Sequence, residues 1–204
     1  MLDTRIRRSI DPYMDRCGVY LSRHGISANK MTVAGFLIGV GAFSAISLGE
    51  FALGLVLILL NRLADGLDGA IARHEGITDL GGYLDIVLDF IFYALVPLGF
   101  AIADPDHAVA AAFLIVSFVG TGTSFLAYAI MAQKRGISSA GPARKSLYYL
   151  GGLTEGTETI LVMIVFCLAP HFFVPLAVGF GVLCWITTAT RIAAAVQAFG
   201  EDHR

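Results

Sequence analysis

Charged side chains are scarce in this sequence of 204 residues. Asp, Glu, Lys and Arg together make up 15% of the chain, and hydrophobic residues make up 56%. A soluble domain carries about 25% charged residues. With a mean hydropathy of +0.75, the chain has too little polar surface for a water-soluble globule, and it is too apolar to be disordered. The composition therefore predicts an integral membrane protein.

The sequence also lacks an excess of positive charge, a cysteine framework and a leader segment. Fourteen Lys and Arg against sixteen Asp and Glu give a formal net charge of −2, which argues against binding to a nucleic-acid backbone. The cysteines Cys17, Cys167 and Cys184 are too widely spaced for a disulfide framework or a metal site. No apolar segment of the signal-peptide kind follows the initial Met.

Long apolar segments predict six transmembrane helices, each of about 20 residues. They cover residues 31–49, 51–73, 81–103, 108–132, 147–168 and 171–197. The three short loops on one side of these segments contain no Lys or Arg, so the positive-inside rule places both termini in the cytoplasm. We expect an all-α integral membrane protein with a six-helix domain over residues 29–204, in a bacterial inner or plasma membrane.

Residues 1–28 form a separate amphipathic segment. Apolar residues recur at three- and four-residue spacing on one side, and Arg and Asp residues occupy the other. Pro12 should kink or restart the helix. The pattern predicts a helix that lies on the cytoplasmic leaflet with its Arg residues toward anionic lipid; packing on the rest of the protein is the alternative.

Six carboxylates fall inside the predicted spans, where a charge is costly and rare unless it has a function. They are Asp65, Asp68, Asp85, Asp89, Glu155 and Glu158. Asp65 and Asp68 are three residues apart and share one helix face, as Asp85 and Asp89 do at a spacing of four. Because a short connection should make these two helices antiparallel neighbours, we expect the four aspartates to converge.

Four carboxylates this close need counter-charge. An all-oxygen ligand set favours Mg²⁺ or Mn²⁺ over Zn²⁺, and two such ions would balance four aspartates. Arg73, at the cytoplasmic end of the same helix as Asp65 and Asp68, could contact a phosphate. Metal ions, a phosphate and a membrane together suggest phosphoryl-type transfer on a lipid diphosphate, with a carboxylate free of the metals as the base. The alternatives are a buried network for helix packing, an intramembrane aspartate-rich prenyltransferase and a cation transporter, although no internal repeat of the transporter kind is seen.

The acidic segment resembles the signature of the CDP-alcohol phosphotransferase family. That signature is D-x-x-D-G-x-x-A-R, a spacer of eight residues, and G-x-x-x-D-x-x-x-D. The matching residues are Asp65, Asp68, Gly69, Ala72, Arg73, Gly81, Asp85 and Asp89, with Gly66 beside the first Asp. The spacer here has seven residues. Asn29 and Thr32 resemble the family's N-x-x-T segment, although Asn29 could equally cap a helix.

The resemblance implies a metal-dependent transferase of phospholipid synthesis that acts as a homodimer. It would move the phosphatidyl group of CDP-diacylglycerol to an alcohol and release CMP; some members use a soluble CDP-alcohol instead. Asp65, Asp68 and Asp85 would be the principal metal ligands, and Asp89 would be the general base and a further ligand. The residues that would contact the CDP group are Asn29, Thr32, Gly66, Gly69, Ala72, Arg73 and Gly81.

The sequence leaves two chemical classes of acceptor alcohol open. A basic subsite of Lys145 and Arg191 would hold a phosphate-bearing acceptor such as glycerol 3-phosphate or inositol phosphate. A carboxylate subsite of Glu155 and Glu158 would hold a cationic amino alcohol. Alternatively, one of the two glutamates forms a buried ion bridge with Arg191. Arg62, three residues before the first aspartate, could simply neutralise one of the four.

Overall fold

The structure of the chain, a computed structural model, describes residues 2–136 and 154–200. Within these ranges it forms seven α-helices and two short 3₁₀ helices, and no β-strand. The helices are α1 (Leu2–Arg23), α2 (Ala28–Ser47), α3 (Phe51–Glu75), α4 (Asp79–Ala103), α5 (Ala108–Lys134), α6 (Gly156–Leu168) and α7 (Phe173–Phe199). The 3₁₀ helices Pro105–His107 and Pro170–Phe172 precede α5 and α7. The predicted all-helical class is confirmed over these residues.

Helix α2 is the common partner of the two helices that carry the acidic motif. Glycines on α2 make this possible, because a Cβ at Gly35 would lie 2.9 Å from Cβ of Ala64 in α3. A Cβ at Gly39 would lie 2.7 Å from the ring of Phe92 in α4. Small residues at such positions let helix backbones approach closely in membranes. The connection between α3 and α4 is short, as predicted, yet both helices pack mainly against α2 and not against each other.

Aromatic side chains close the bundle at the end far from the acidic motif. Phe100 stacks on Phe173 with ring centroids 4.6 Å apart and on Phe51 at 5.2 Å. Phe166 meets Phe173 edge-on at 4.8 Å. These four rings come from α3, α4, α6 and α7, so a single cluster joins four helices.

Helix α1 packs along the half of α3 that carries the motif. Gly18 is buried against Ala70, and the Asp15 carboxylate accepts from Arg73 Nη2 at 2.7 Å. The Ser22 hydroxyl donates to Glu75 at 2.9 Å. Pro12 lies inside one continuous helix, so the expected restart of the helix does not occur. The contacts with α3 favour packing on protein for this face; the predicted membrane contact of α1 stays a prediction.

Substitution of Gly18 by Ala should destabilise the protein. The new Cβ would lie 2.8 Å from Cβ of Ala70 and 2.9 Å from its backbone carbon, so the two helices must separate. Overpacking of this kind costs about 1–3 kcal/mol. Gly179→Ala is the matched control, because nothing lies within 4 Å of a Cβ there. Thermal unfolding in detergent should show a lower midpoint for Gly18→Ala only; equal midpoints would contradict the packing argument.

Four of the described helical segments are long and apolar enough to cross a membrane: Ala28–Ser47, Asp79–Ala103, Pro105–Lys134 and Pro170–Phe199. They coincide with the first, third, fourth and sixth predicted spans. The second predicted span matches α3, which has 25 residues but carries the charged motif. The fifth is represented by the 13 residues of α6. The number of spans and the side of the termini therefore remain predictions.

Candidate active site

Three aspartates from two helices converge on one point. Oxygen atoms of Asp65 and Asp68 on α3 and of Asp85 on α4 all lie within 4.8 Å of one another. Asp68 is buried, and its Oδ2 has no hydrogen-bond partner in the described part of the chain. A buried acceptor without a donor is costly, and a divalent cation would satisfy it. The three carboxylates therefore fit an ion that prefers oxygen ligands, such as Mg²⁺ or Mn²⁺.

Asp89 does not belong to this group of three. Its Oδ1 accepts from Arg62 Nη2 at 2.7 Å, and its Oδ2 accepts from Arg62 Nη1 at 3.3 Å. The Tyr93 hydroxyl donates to the same Oδ2 at 3.1 Å. Arg62 also lies 3.6 Å from Asp65. The fourth aspartate of the motif is thus held beside the cluster by an arginine and a tyrosine.

A chain of contacts fixes Arg62 in turn. Its Nε donates to the buried Asn61 side chain at 2.8 Å, and the Asn61 amide donates to the Gly35 carbonyl at 2.8 Å. The guanidinium lies 4.8 Å from the ring centre of Phe92. The sequence interpretation assigned no definite role to Arg62 and did not identify Tyr93 as a site residue. The signal for Tyr93 was its place four residues after Asp89, on the same helix face.

A cleft of about 570 Å³ opens beside the aspartates, between the start of α2 and the facing ends of α3 and α4. Six of the seven residues predicted to contact CDP line it: Asn29, Thr32, Gly69, Ala72, Arg73 and Gly81. The exception is Gly66, where a Cβ would lie 2.5 Å from the end of the Met14 side chain. Gly66 thus provides room for α1, and it is not among the residues that line the cleft.

Local contacts explain the shape of this cleft. Thr78 caps α4, its hydroxyl accepting from the Gly81 backbone N–H at 3.1 Å. A Cβ at Gly81 would lie 3.0 Å from that hydroxyl and 3.1 Å from Oδ1 of Asn29. Gly81 therefore lets the turn approach α2. Asn29 lies inside the first turn of α2, whose N-cap is Ser27, so the helix-cap alternative for Asn29 is wrong.

A second cavity of about 410 Å³ lies between α4, α5, α6 and α7. Its lining includes Tyr93, Thr121, Glu155 and Arg191. Arg191 is buried, donates to the Thr121 carbonyl at 2.9 Å and lies over the Phe125 ring at 5.4 Å. Because Tyr93 also binds Asp89, this cavity adjoins the carboxylate that was predicted to be the base.

The two glutamates of the fifth predicted span lie at the start of α6, Glu155 just before the helix and Glu158 in its first turn. Glu155 is the N-cap of α6, and the two side chains form a reciprocal capping box in which Glu158 accepts from the Glu155 N–H at 3.1 Å. Glu158 therefore has a structural partner. Lys145, the other residue of the predicted basic subsite, lies outside the described residues.

Comparisons with known proteins agree with the motif and the fold. A family model described as CDP-alcohol phosphatidyltransferase matches residues 25–196. The inner membrane protein YnjF of Escherichia coli K12 is 52% identical over 193 residues, which are 94% of each chain. An archaetidylinositol phosphate synthase of Pyrococcus horikoshii is 32% identical over 100 residues, 48% of this chain and 53% of that one.

Solved structures show the same fold. A crystal structure of Mycobacterium tuberculosis phosphatidylinositol phosphate synthase (PgsA1) with CDP-DAG bound has a TM-score of 0.62. It shares 22% identity, with 90% of each chain covered. A structure of the same protein with manganese and citrate has a TM-score of 0.61, with 22% identity and coverage of 90% and 86%. The architecture of this chain is therefore shared with a protein crystallised with CDP-DAG and with manganese.

Proposed function

Since the chain belongs to the CDP-alcohol phosphatidyltransferase family, we propose that it transfers a phosphatidyl group from CDP-diacylglycerol to an alcohol and releases CMP. The observation that carries this proposal is the group of Asp65, Asp68 and Asp85 beside a cleft lined by motif residues. In this group the buried Oδ2 of Asp68 has no hydrogen-bond donor among the residues that the structure describes. The family resemblance also supports a soluble CDP-alcohol as a second class of donor.

The donor would occupy the 570 Å³ cleft with its diphosphate at the three aspartates. Gly69 and Ala72 leave the wall of the cleft open, and Arg73 at its rim offers a cation to the phosphates. Arg73 is half-exposed in its pair with Asp15, and an exposed pair of this kind is weak. Arg73 can therefore exchange Asp15 for a phosphate at little cost.

The reaction would be a displacement at the β-phosphorus of the donor. Asp89 would accept the proton of the acceptor hydroxyl, whose oxygen would form a bond to that phosphorus as the bond to the bridging oxygen of CMP breaks. A divalent cation on Asp65, Asp68 and Asp85 would stabilise the negative charge on the phosphate oxygens. Tyr93 and Arg62 hold Asp89 in place between the acidic group and the second cavity.

The acceptor would bind in the 410 Å³ cavity, and we favour one that bears a phosphate. Arg191 is the cation among the described residues that line this cavity, whereas Glu158 is used to cap α6. Proteins similar to this chain include a phosphatidylinositol phosphate synthase and an archaetidylinositol phosphate synthase, which supports a phosphorylated polyol as the acceptor. A carboxylate subsite for an amino alcohol would rest on Glu155 alone. Cytoplasmic termini, an active site on that side and a homodimer complete the proposal.

Substitution of Arg191 by Ala should raise KM for the acceptor and leave KM for CDP-diacylglycerol unchanged. A hydrogen bond to a charged group contributes about 1.5–3 kcal/mol, which corresponds to roughly a 10- to 100-fold rise. The control is Arg135→Ala, since Arg135 also donates to backbone carbonyls across α5 and α7, at Ala198 and Phe199, away from the cavity. An equal rise of both KM values, or a loss of stability alone, would support a structural ion bridge instead.

The proposed function is tested by CMP release from CDP-diacylglycerol by the purified chain in detergent. The acceptors are glycerol 3-phosphate, inositol phosphate, inositol, serine, choline and phosphatidylglycerol, each with Mg²⁺ or Mn²⁺ and with a chelator as the control. We expect metal-dependent CMP release with a phosphate-bearing acceptor. If CMP release and binding of cytidine nucleotides are both missing, the family activity does not apply to this chain, and a cation transporter or a prenyltransferase becomes the better hypothesis.

A further inference from the structure

Both oxygens of the Asp89 carboxylate already have fixed donors. Arg62 approaches with two nitrogens, one to each oxygen, and Tyr93 donates to Oδ2. The Arg62 side chain is 16% exposed and that of Asp89 is 28% exposed. A forked arginine–carboxylate pair is the strongest kind of charge-assisted hydrogen bond, and it gains strength as water is excluded. The Asp89 carboxylate is therefore held by Arg62.

The Arg62 side chain is itself held in a fixed position. The buried Asn61 binds its Nε and is itself tied to the Gly35 carbonyl of α2, while Phe92 covers one face of the guanidinium. A flexible lysine would not be held this way, because only the planar guanidinium offers donors in three fixed directions. The positive charge of Arg62 is thus a permanent part of the acidic site, 3.6 Å from Asp65.

The space next to these charges is small. The cavity bordered by Arg62 and the four aspartates has a volume of about 10 Å³, which is close to the volume that one water-sized group needs. Two-metal sites place their ions about 3.5–4 Å apart. A second ion that used Asp89 as a ligand would have to occupy the side of the cluster where the guanidinium already binds Asp89.

We propose that the guanidinium of Arg62 takes the place of a second metal ion. The chain would then bind one divalent cation, on Asp65, Asp68 and Asp85, and Asp89 would stay outside its coordination shell. This inference rests on the proposed function for the nature of the site, and it revises the expectation of two ions. Arg62 and Tyr93 become positioning residues that keep the Asp89 carboxylate free of metal and next to the acceptor cavity.

The test counts Mn²⁺ bound per full-length chain in detergent, from the electron paramagnetic resonance signal of the free ion during a titration. The count is repeated with CDP-diacylglycerol, using protein-free micelles as the blank. We expect one Mn²⁺ per wild-type chain in both conditions. We expect Arg62→Gln to bind two, since Asp89 is released as a ligand. Arg62→Gln combined with Asp89→Asn should bind one again.

Each result has a distinct meaning. Two Mn²⁺ per wild-type chain would overturn this inference and leave the proposed function intact, whereas no bound Mn²⁺ would overturn both. One ion in the wild type and still one in Arg62→Gln would show that Arg62 does not exclude the second ion. If Arg62→Gln does not fold, the wild-type count decides.

Discussion

Replacement of Asp68 by Asn should reduce CMP release by at least about a thousandfold. Asp68 is the buried member of the three-aspartate group, and its Oδ2 has no donor among the described residues. Asn keeps the shape of the side chain but offers a neutral oxygen and an N–H₂ group, so it cannot replace an anionic ligand. A metal ion contributes several kcal/mol to the stabilisation of transition-state charge, and about 4 kcal/mol corresponds to a factor of roughly a thousand.

When metal is absent, Asp68→Asn should not be less stable than the wild type, although its CMP release is reduced. Without a cation, Asp68 adds one more negative charge to a crowded acidic group, and its removal relieves that repulsion. We expect metal-free Asp68→Asn to unfold at the same temperature as the wild type or higher. The rise in unfolding temperature that Mn²⁺ gives the wild type should be lost, because that rise depends on binding to the folded state.

The matched control for this experiment is Asp106→Asn. Asp106 lies in the short 3₁₀ helix before α5 and is exposed. The Asp106→Asn substitution should leave both CMP release and the Mn²⁺-dependent stabilisation unchanged. Activity of Asp68→Asn within about tenfold of the wild type would show that this buried carboxylate is not a metal ligand.

Asp89→Asn should reduce CMP release by roughly a hundred- to ten-thousandfold, the range that a general base contributes. Binding of Mn²⁺ and of CDP-diacylglycerol should persist, because Asp89 lies outside the group of three aspartates. Asn cannot accept the hydroxyl proton, so chemistry is lost while the donor site stays formed. Single-turnover CMP release and equilibrium binding of the donor measure the two effects separately.

This variant also leaves Arg62 with an unpaired charge. Loss of one partner of a buried pair costs about 3–5 kcal/mol, and less is expected here because the pair is partly exposed. Arg62→Gln combined with Asp89→Asn should therefore recover stability but not activity. Asp15→Asn breaks the exposed pair with Arg73 and should cost less than about 1 kcal/mol. If Asp89→Asn loses Mn²⁺ and the donor together, Asp89 is a metal ligand, and both its role as a base and the single-ion inference are wrong.

The convergence of the acidic group could be predicted because it depends on local geometry. Asp65 and Asp68 share a helix face at a spacing of three, and the turn around Thr78 is too short to separate α3 from α4 by much. The same reasoning could not reveal that α2 joins the two helices. A glycine such as Gly35 or Gly39 marks a close approach, but the sequence does not say which helix makes it.

Arg62 shows a further limit of sequence reasoning. Spacing alone pairs it with Asp65, three residues along the same helix, yet that distance is 3.6 Å and the shorter contact, 2.7 Å, is with Asp89 on α4. The choice between the two depends on the orientation of α3 and α4 and on the support from Asn61. Likewise, the sequence interpretation treated Glu155 and Glu158 as a ligand pair and not as a capping box. A capping box usually begins with Ser or Thr, so one that begins with Glu is not recognised from the sequence.

If α3 spans the membrane as predicted, the position of Asp68 along this helix sets the depth at which the proposed reaction would take place. Asp68 is seven residues before the end of the helix at Glu75, a distance of about 10 Å at 1.5 Å per residue. The polar headgroup regions together add roughly 10–15 Å to a hydrocarbon core of about 30 Å. With α3 spanning the membrane as predicted and Glu75 at the water boundary, the site would lie near the level where glycerol backbones meet acyl chains. A CDP-lipid would place its diphosphate there without leaving the bilayer, while a water-soluble acceptor and CMP would exchange with the aqueous side.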